Sequence, residues 1–331
     1  MPLCARELAG FHRRLHRWYG AHGRAHLPWR NTSDPYAIYL SEVMLQQTQV
    51  KTVLERFYEP FLARFPTIAA LAKASQDDVL KAWQGLGYYS RARNLHAAAK
   101  AARSGLPQDV EGLLALPGIG RNTAHAVAAF AYRSPVPVME ANVKRVLCRI
   151  FAFTAPTDAQ LWEAAHALLN TKNPFDYNQA MMDIGAMLCK KTAPDCPACP
   201  ANTLCRGQKT PLAYPAKKAA KAVPVRARNI LVLANARNEY FASPRKERFL
   251  GGMYHFIERN ANEPVEKQAK LLGHITQNYS HFTLEASVYL LTGKHKQKEG
   301  WYSLAALQRL PMSMAEQKIL QLLRSHANAT S

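Results

Sequence analysis

Across its 331 residues the chain has no apolar run long enough to span a bilayer. The basic segment Met1 to Gly20 also lacks the uninterrupted apolar stretch of a secretory leader. The expectation is a soluble intracellular protein with no membrane partner. Acidic residues are scarce: 23 Asp and Glu face 43 Lys and Arg, for a formal net charge of +20. A field of that sign attracts polyanions, and nucleic acid is the commonest of these inside cells, ahead of ribosome-like or membrane-surface binding. Internal repeats are absent, and 48% hydrophobic residues exclude a disordered chain. The length allows two domains, each with its own core.

Cysteine is rare outside one place. Cys4 and Cys148 stand alone, whereas Cys189, Cys196, Cys199 and Cys205 fall within 17 positions, spaced Cys-x6-Cys-x2-Cys-x5-Cys. A reducing compartment disfavours disulfides in a chain of this size, so four crowded thiols point to metal. Four thiolates suit a tetrahedral zinc or an iron–sulfur cubane, and ligand softness does not separate the two.

Residues up to about 206 read as mainly helical, with Asp78 to Trp83 and Leu95 to Arg103 as periodic examples. Gly207 to Pro224 mixes Pro211, Pro215 and Pro224 with Lys209, Lys217, Lys218 and Lys221, the texture of a semi-extended basic linker. Beyond it, Asn229 to Ala236, Met253 to Glu258 and Phe282 to Leu291 read as strands. Glu266 to Leu272 and Met314 to Leu323 have helical spacing, giving a small α+β domain.

Three stretches carry more information. Ser41-Glu42-Val43-Met44-Leu45-Gln46-Gln47-Thr48-Gln49-Val50 reads as one amphipathic helix, on which Glu42 is an ordinary solvated carboxylate unless a pocket covers it. Leu27-Pro28-Trp29-Arg30 precedes that glutamate by twelve positions, and Gly85-Leu86-Gly87-Tyr88-Tyr89-Ser90-Arg91-Ala92-Arg93-Asn94 follows. Leu116-Pro117-Gly118-Ile119-Gly120-Arg121-Asn122-Thr123-Ala124 lies between two expected helices, where glycines allow tight turning and first-turn amides can point at phosphate.

Together these stretches resemble the adenine DNA glycosylases of the endonuclease III, helix–hairpin–helix superfamily. The resemblance implies a mainly helical catalytic domain over 1–206, with a six-helix part at about 30–137 and an iron–sulfur part from 1–29 plus 138–206. It further implies a basic linker over 207–225 and a C-terminal α+β Nudix-like domain over 226–331. The cysteine spacing resembles the family's loop for a [4Fe-4S] cluster, which would be structural and would present Lys190 and Lys191 to DNA phosphates.

The implied partner is double-stranded DNA holding adenine opposite 8-oxoguanine or guanine, bound by a monomer. Adenine leaves poorly as an anion, so a carboxylic acid of raised pKa must protonate its N7. By resemblance that acid is Glu42, with Val43, Met44 and Leu45 supplying a desolvating surface. The base must first be extruded. Gln47 and Tyr88 would act as wedges, Leu86 would lie beside the opposite base, and Thr48 would also face DNA. Trp29 and Arg30 would help shape the adenine pocket, and Gly118 and Gly120 would turn the DNA-binding hairpin.

Members that also cleave the strand carry a lysine directly after the position of Arg121. Asn122 stands there, which implies base removal without an imine, although Lys144 near the site could trap the sugar weakly. The oxocarbenium-like sugar needs a carboxylate beside it. The family uses aspartate where this chain reads Val138-Met139-Glu140-Ala141-Asn142-Val143-Lys144-Arg145-Val146. Glu140 is assigned that electrostatic role with Asn142 as polar support. The longer side chain leaves open an impaired enzyme that binds lesions, and a relative with another target base is the other alternative. In the last domain, Arg248 to Phe256 resembles a weakened Gly-Gly strand entry, and Tyr279-Ser280-His281 resembles the 8-oxoguanine reader, with Tyr for the usual Phe. The glutamates of a Nudix pyrophosphatase are missing.

Overall fold

Phe11 and Leu15, four positions apart, face inward from the Ala5–His22 helix, whose other side exposes Arg13 and Arg17. That helix packs on Pro174–Asp183, and with Ala141–Phe151 and Asp158–Leu168 it encloses a core of Phe11, Leu15, Val146, Leu147, Trp162, Leu168, Tyr177 and Ile184. The computed structural model describes residues 4–216 and 222–330; Lys217, Lys218 and Lys221 of the expected linker lie outside the described residues. The chain forms two units, the first from 4–58, 67–69 and 97–216, the second from 59–66, 70–96 and 222–330.

In the first unit, the Pro35–Leu45 helix begins cleanly because Pro35 occupies its first turn and the Asp34 carboxylate accepts from the Tyr36 amide at 3.0 Å. It lies against Arg121–Ala131, where Ala126 and Ala129 permit close approach to Ile38. The helix is apolar on nearly every side, and Glu42 is its only charged residue. Here the structure corrects the reading of Ser41 to Val50 as one amphipathic helix. The helix ends at Leu45, Gln47 takes a left-handed φ of 56°, and a second helix runs Val50–Arg56. The turn lifts Gln47 out of the apolar layer, and Gln47 is exposed.

The second unit is built on a mixed sheet in the order Lys270–Asn278, Thr283–Thr292, Val225–Ala234, Tyr240–Phe241, Trp301–Tyr302. Val225–Ala234 and Thr283–Thr292 pair in parallel, Val225 opposite Thr283 through Ala234 opposite Thr292, and the other pairs are antiparallel. Ile257–Asn260 also pairs with Val225–Ala234. The Met314–Thr330 helix lies on Lys270–Asn278 and closes a core of Val232, Phe256, Val288, Ile319 and Leu323. The expected helix at Glu266 to Leu272 is absent. Its end belongs to the Lys270–Asn278 strand, where a bulge between Leu271 and Gly273 breaks the two-residue alternation and makes a strand resemble helical spacing.

Candidate active site

Glu42 lies in the wall between two cavities of the first unit. The larger, about 850 Å³, is lined by Gln46, Gln47, Gly118, Gly120, Asn122, Lys144 and Trp162 among others. The smaller, about 270 Å³, is lined by Trp29, Arg30, Thr48, Asn142 and Gln179. Glu42, Leu45, Glu140 and Met182 border both. Burial pushes the Glu42 carboxyl up to about 7, the neighbouring Glu140 charge adds to the rise, and Arg30 only partly opposes it. The side chain is half-buried, so it touches cavity solvent while standing deep among apolar neighbours. Near neutral pH it can hold a proton to give. That is what a general acid requires.

Glu140 precedes the Ala141–Phe151 helix. Its carboxyl is also raised, chiefly by burial, although the Asn142 and Val143 amides and the Asn142 side chain favour the charged form. Asn142 Nδ2 donates to Oε2 at 3.4 Å, and Oε1 is buried with no hydrogen bond. Arg145 holds Asn142 in turn, donating to its Oδ1 at 2.8 Å, to the Gly185 carbonyl at 2.7 Å and to the Cys189 carbonyl at 2.7 Å. A hydrogen-bonded line therefore runs from the first clustered cysteine to the second carboxylate. Gly185 sits in the π-helical turn Ile184–Leu188, and a Cβ there would meet Asn142 Cβ at 2.5 Å. Gly185→Ala is expected to push Asn142 away from Glu140 and cut the single-turnover rate of a reaction that uses this carboxylate about 10- to 100-fold, as displacement of a positioned group does. Ligand binding, measured in parallel, should change far less.

Arg30 does not offer its guanidinium freely to a base. It makes a bidentate pair with Asp183, Nη1 to Oδ2 at 2.7 Å and Nη2 to Oδ1 at 2.8 Å. Arg24 joins through its amide at 2.9 Å and its Nε at 2.7 Å. Burial alone would raise the Asp183 carboxyl, but these two arginines outweigh it and hold it below the ordinary value. Arg30 thus fixes the wall of the smaller cavity beside Trp29, whose ring meets Tyr58 edge-on at 5.1 Å. Sequence reasoning misses Asp183, because nothing in its local spacing marks it. Asp183→Asn removes the charge from a fully buried site and is expected to lower unfolding free energy by about 2–3 kcal/mol in denaturant titrations.

The short helix Val110–Leu114, the turn at Gly118 with φ 74°, and Arg121–Ala131 form the expected helix–hairpin–helix. Gly120 stands at the cap, with open space around its missing Cβ, so the first amides of the second helix are approachable. Asn122 is exposed. Lys144 pairs with Asp158 at 2.9 Å on the rim of the larger cavity.

In the second unit, the Gly85–Tyr88 turn has left-handed φ values at Gly85 (99°), Gly87 (78°) and Tyr88 (49°). Arg91 clamps it from below, donating to the Gly87 carbonyl at 3.2 Å and lying 5.3 Å from the Tyr88 ring. The result holds Tyr88 outward, 41% exposed, while Leu86 is buried. Tyr88 shares a cavity of about 450 Å³ with Tyr279, Ser280 and His281. Ser280 and His281 are exposed at the turn between two sheet strands.

Cys189, Cys196, Cys199 and Cys205 line one small cavity with Arg149, whose Nη1 stands 3.2 Å from Cys189 Sγ. The Arg149 guanidinium also takes the carbonyls of Lys190 at 2.7 Å and Lys191 at 3.3 Å, leaving both lysine side chains on the surface. Among the described residues no group of three or more His, Cys, Asp or Glu side chains is arranged to hold a metal ion. The donor set, four sulfurs beside a buried cation, still fits a thiolate-ligated group of net negative charge.

Residues 40–170 match the HhH-GPD superfamily of base excision DNA repair proteins. The adenine DNA glycosylase of Buchnera aphidicola subsp. Acyrthosiphon pisum (strain APS) is 30% identical over 92% of this chain and 95% of its own length. The adenine DNA glycosylase of Homo sapiens is 40% identical over 61% of this chain and 40% of that protein. Among solved structures, a thermostable thymine-DNA glycosylase superposes with a TM-score of 0.57 at 26% identity, covering 62% of this chain and 97% of that one. Endonuclease III in a non-covalent DNA complex shares the fold at a TM-score of 0.53 and 20% identity, over 62% of this chain and 97% of that one. With likeness running through more than nine-tenths of both sequences, the chain belongs to the adenine DNA glycosylases, base excision repair enzymes of the HhH-GPD superfamily.

Proposed function

We propose that this enzyme hydrolyses the N-glycosidic bond of adenine mispaired with 8-oxoguanine or guanine, and that it does not cleave the strand through an imine. The observation that carries the reading is the Glu42 carboxyl, pushed up to about 7 on a buried helix and bordering both cavities. An adenine turned out of the duplex would enter between Trp29 and Glu42, with the Arg30–Asp183 pair stiffening the wall. Glu42 gives its proton to N7, the base departs neutral, and Glu140 faces the positive charge that develops on the sugar. Water then adds to the sugar and gives its proton to the Glu42 carboxylate, which restores the acid. Asn142 and Arg145 hold Glu140 in place. Gln47, Thr48, Gly118, Gly120, Lys190 and Lys191 are assigned to DNA, with Lys144 kept by Asp158 as a surface ion pair.

The domain limits proposed are 1–206, 207–225 and 226–331, the last a Nudix-like domain in which Tyr279, Ser280 and His281 inspect the base opposite adenine. The mixed sheet is consistent with that reading. Tyr88 belongs to the same inspection, whereas Leu86, expected beside the opposite base, is buried and does not line that cavity. Cys189, Cys196, Cys199 and Cys205 would hold a [4Fe-4S] cluster, whose contribution when bound is structural, closing the loop that carries Lys190 and Lys191. Iron content and visible absorbance of the purified protein separate it from zinc.

The test is single-turnover base release from duplexes holding A opposite 8-oxoguanine, A opposite guanine, T opposite guanine or an oxidised pyrimidine. Release of adenine alone, lost in Glu42→Gln, supports the proposal. Tight binding without any product favours the lesion-binding reading that Glu140 motivates, and release of another base overturns the adenine assignment.

A further inference from the structure

The Tyr279–Ser280–His281 turn has some packing of its own, with the Tyr279 and His281 rings each 4.8 Å from the Phe282 ring. Its backbone is closed by the Tyr279 amide donating to the Phe282 carbonyl at 2.9 Å, and Ser280 Oγ stands 3.3 Å from His281 Nδ1. Two exposed side chains on a strand-to-strand turn would otherwise sample several rotamers, with a loss of selectivity in any hydrogen bond they make.

A further restraint comes from another segment. Phe249, from the Arg248–Gly252 stretch, sets its ring edge-on to Tyr279 at 5.1 Å and 85°, to His281 at 5.1 Å and 87°, and to Phe282 at 5.5 Å and 62°. It is 38% exposed and lines the 450 Å³ cavity together with Tyr88, Ser280 and His281. The ring is therefore reachable from the cavity while still packed edge-on against the turn.

Phe249 is itself held firmly. Arg93 donates to the Gly251 carbonyl at 2.7 Å and to the Arg248 carbonyl at 3.1 Å. The Gly252 amide reaches the Arg245 carbonyl at 2.9 Å, and the Arg245 amide reaches the Met253 carbonyl at 2.9 Å. Leu250 has a left-handed φ of 55°. The ring is thus delivered by a backbone with few alternatives. On the far side of the turn, the Ser313 hydroxyl faces the Tyr279 phenol and donates to Glu316, which pairs with Arg245 at 3.2 Å.

We infer that Phe249 is a positioning residue for opposite-base selectivity: its ring fixes the orientation of Ser280 and His281 against the base that faces adenine. The inference rests on the proposed reading of that turn as the inspecting element. Edge-to-face pairs are individually modest attractions, so losing the ring is expected to lower discrimination roughly five- to tenfold rather than abolish it.

The experiment compares single-turnover rates of the full chain on duplexes with adenine opposite 8-oxoguanine and opposite guanine, and reads their ratio. Phe249→Ala and Phe249→Leu, the second keeping apolar bulk without ring edges, are expected to lower the ratio roughly five- to tenfold, and Phe249→Tyr to keep it within about twofold. A Ser280→Ala, His281→Ala double variant tests the turn itself. If the double variant lowers the ratio while Phe249→Leu keeps it, the inference fails and the turn's role stands. If neither changes it, the reading of the turn fails and takes the inference with it.

Discussion

Glu42→Gln is expected to slow single-turnover adenine release by about 10²- to 10⁴-fold, the range over which a positioned proton donor acts. Gln keeps the length and shape of the side chain but cannot give up a proton to a departing purine. Because burial and Glu140 push the carboxyl up to about 7, its protonated form prevails below that pH. The unmodified enzyme should therefore lose rate as pH rises through about 7, and Glu42→Gln should show no such limb. Stability follows a related sign. A carboxyl whose folded pKa lies above its value of 4.5 in the open chain stabilises the fold fully only below 4.5, and that contribution fades as pH climbs toward about 7. At pH 8 the Gln variant should melt no lower than the parent, and higher if the ionised carboxylate is strained there. A slow enzyme that melts normally is the expected pairing, as when a site trades stability for chemistry. Unchanged release rates in Glu42→Gln would remove this residue from the reaction.

Glu140→Gln is expected to reduce the same rate by about 10³-fold or more, since an anion beside a developing cation is among the strongest stabilisations an enclosed site supplies. Oε1 is buried and makes no hydrogen bond, so that oxygen is not committed to a protein donor. Glu140→Asp should preserve or raise the rate, because Asn142 and Arg145 already brace a carboxylate at this place and the shorter side chain demands less of the cavity. A second readout separates charge from mere packing. The Glu140 charge raises the Glu42 carboxyl, so Glu140→Gln should move the falling limb of the pH profile to lower pH, and Glu140→Asp should not. Equal rates in all three forms would show that Glu140 is not the partner of the sugar.

Short motifs mark the two proposed catalytic carboxylates through their resemblance to the adenine DNA glycosylases, and the chemistry gives the reason, since proton transfer and cation stabilisation each demand a carboxylate. Glu42 is the one charge on the otherwise apolar Pro35–Leu45 helix, a contrast that the reading of Ser41 to Val50 as one amphipathic helix missed. The turn after Leu45 was not visible, since Gln46 to Gln49 have no glycine or proline to announce it. The strand at Lys270 was hidden for the opposite reason, a bulge at Gly273 that scrambled its alternation. Asp183, Arg145, Gly185, Arg93 and Phe249 act on segments far away in sequence, and no local spacing encodes such a partnership.

Composition and spacing by themselves determined a cationic chain with a mainly helical first part and four grouped thiols, since residue type and neighbour order set local chemistry; the resemblance of its motifs to the adenine DNA glycosylases added DNA and two candidate carboxylates. Only the tertiary structure decided that both Glu42 and Glu140 are desolvated, that Arg30 is committed to Asp183, and that Glu140 is braced through Asn142 and Arg145 from the cysteine segment. Desolvation and long-range hydrogen bonds depend on what the folded chain brings alongside a group, and that is a property of packing in three dimensions.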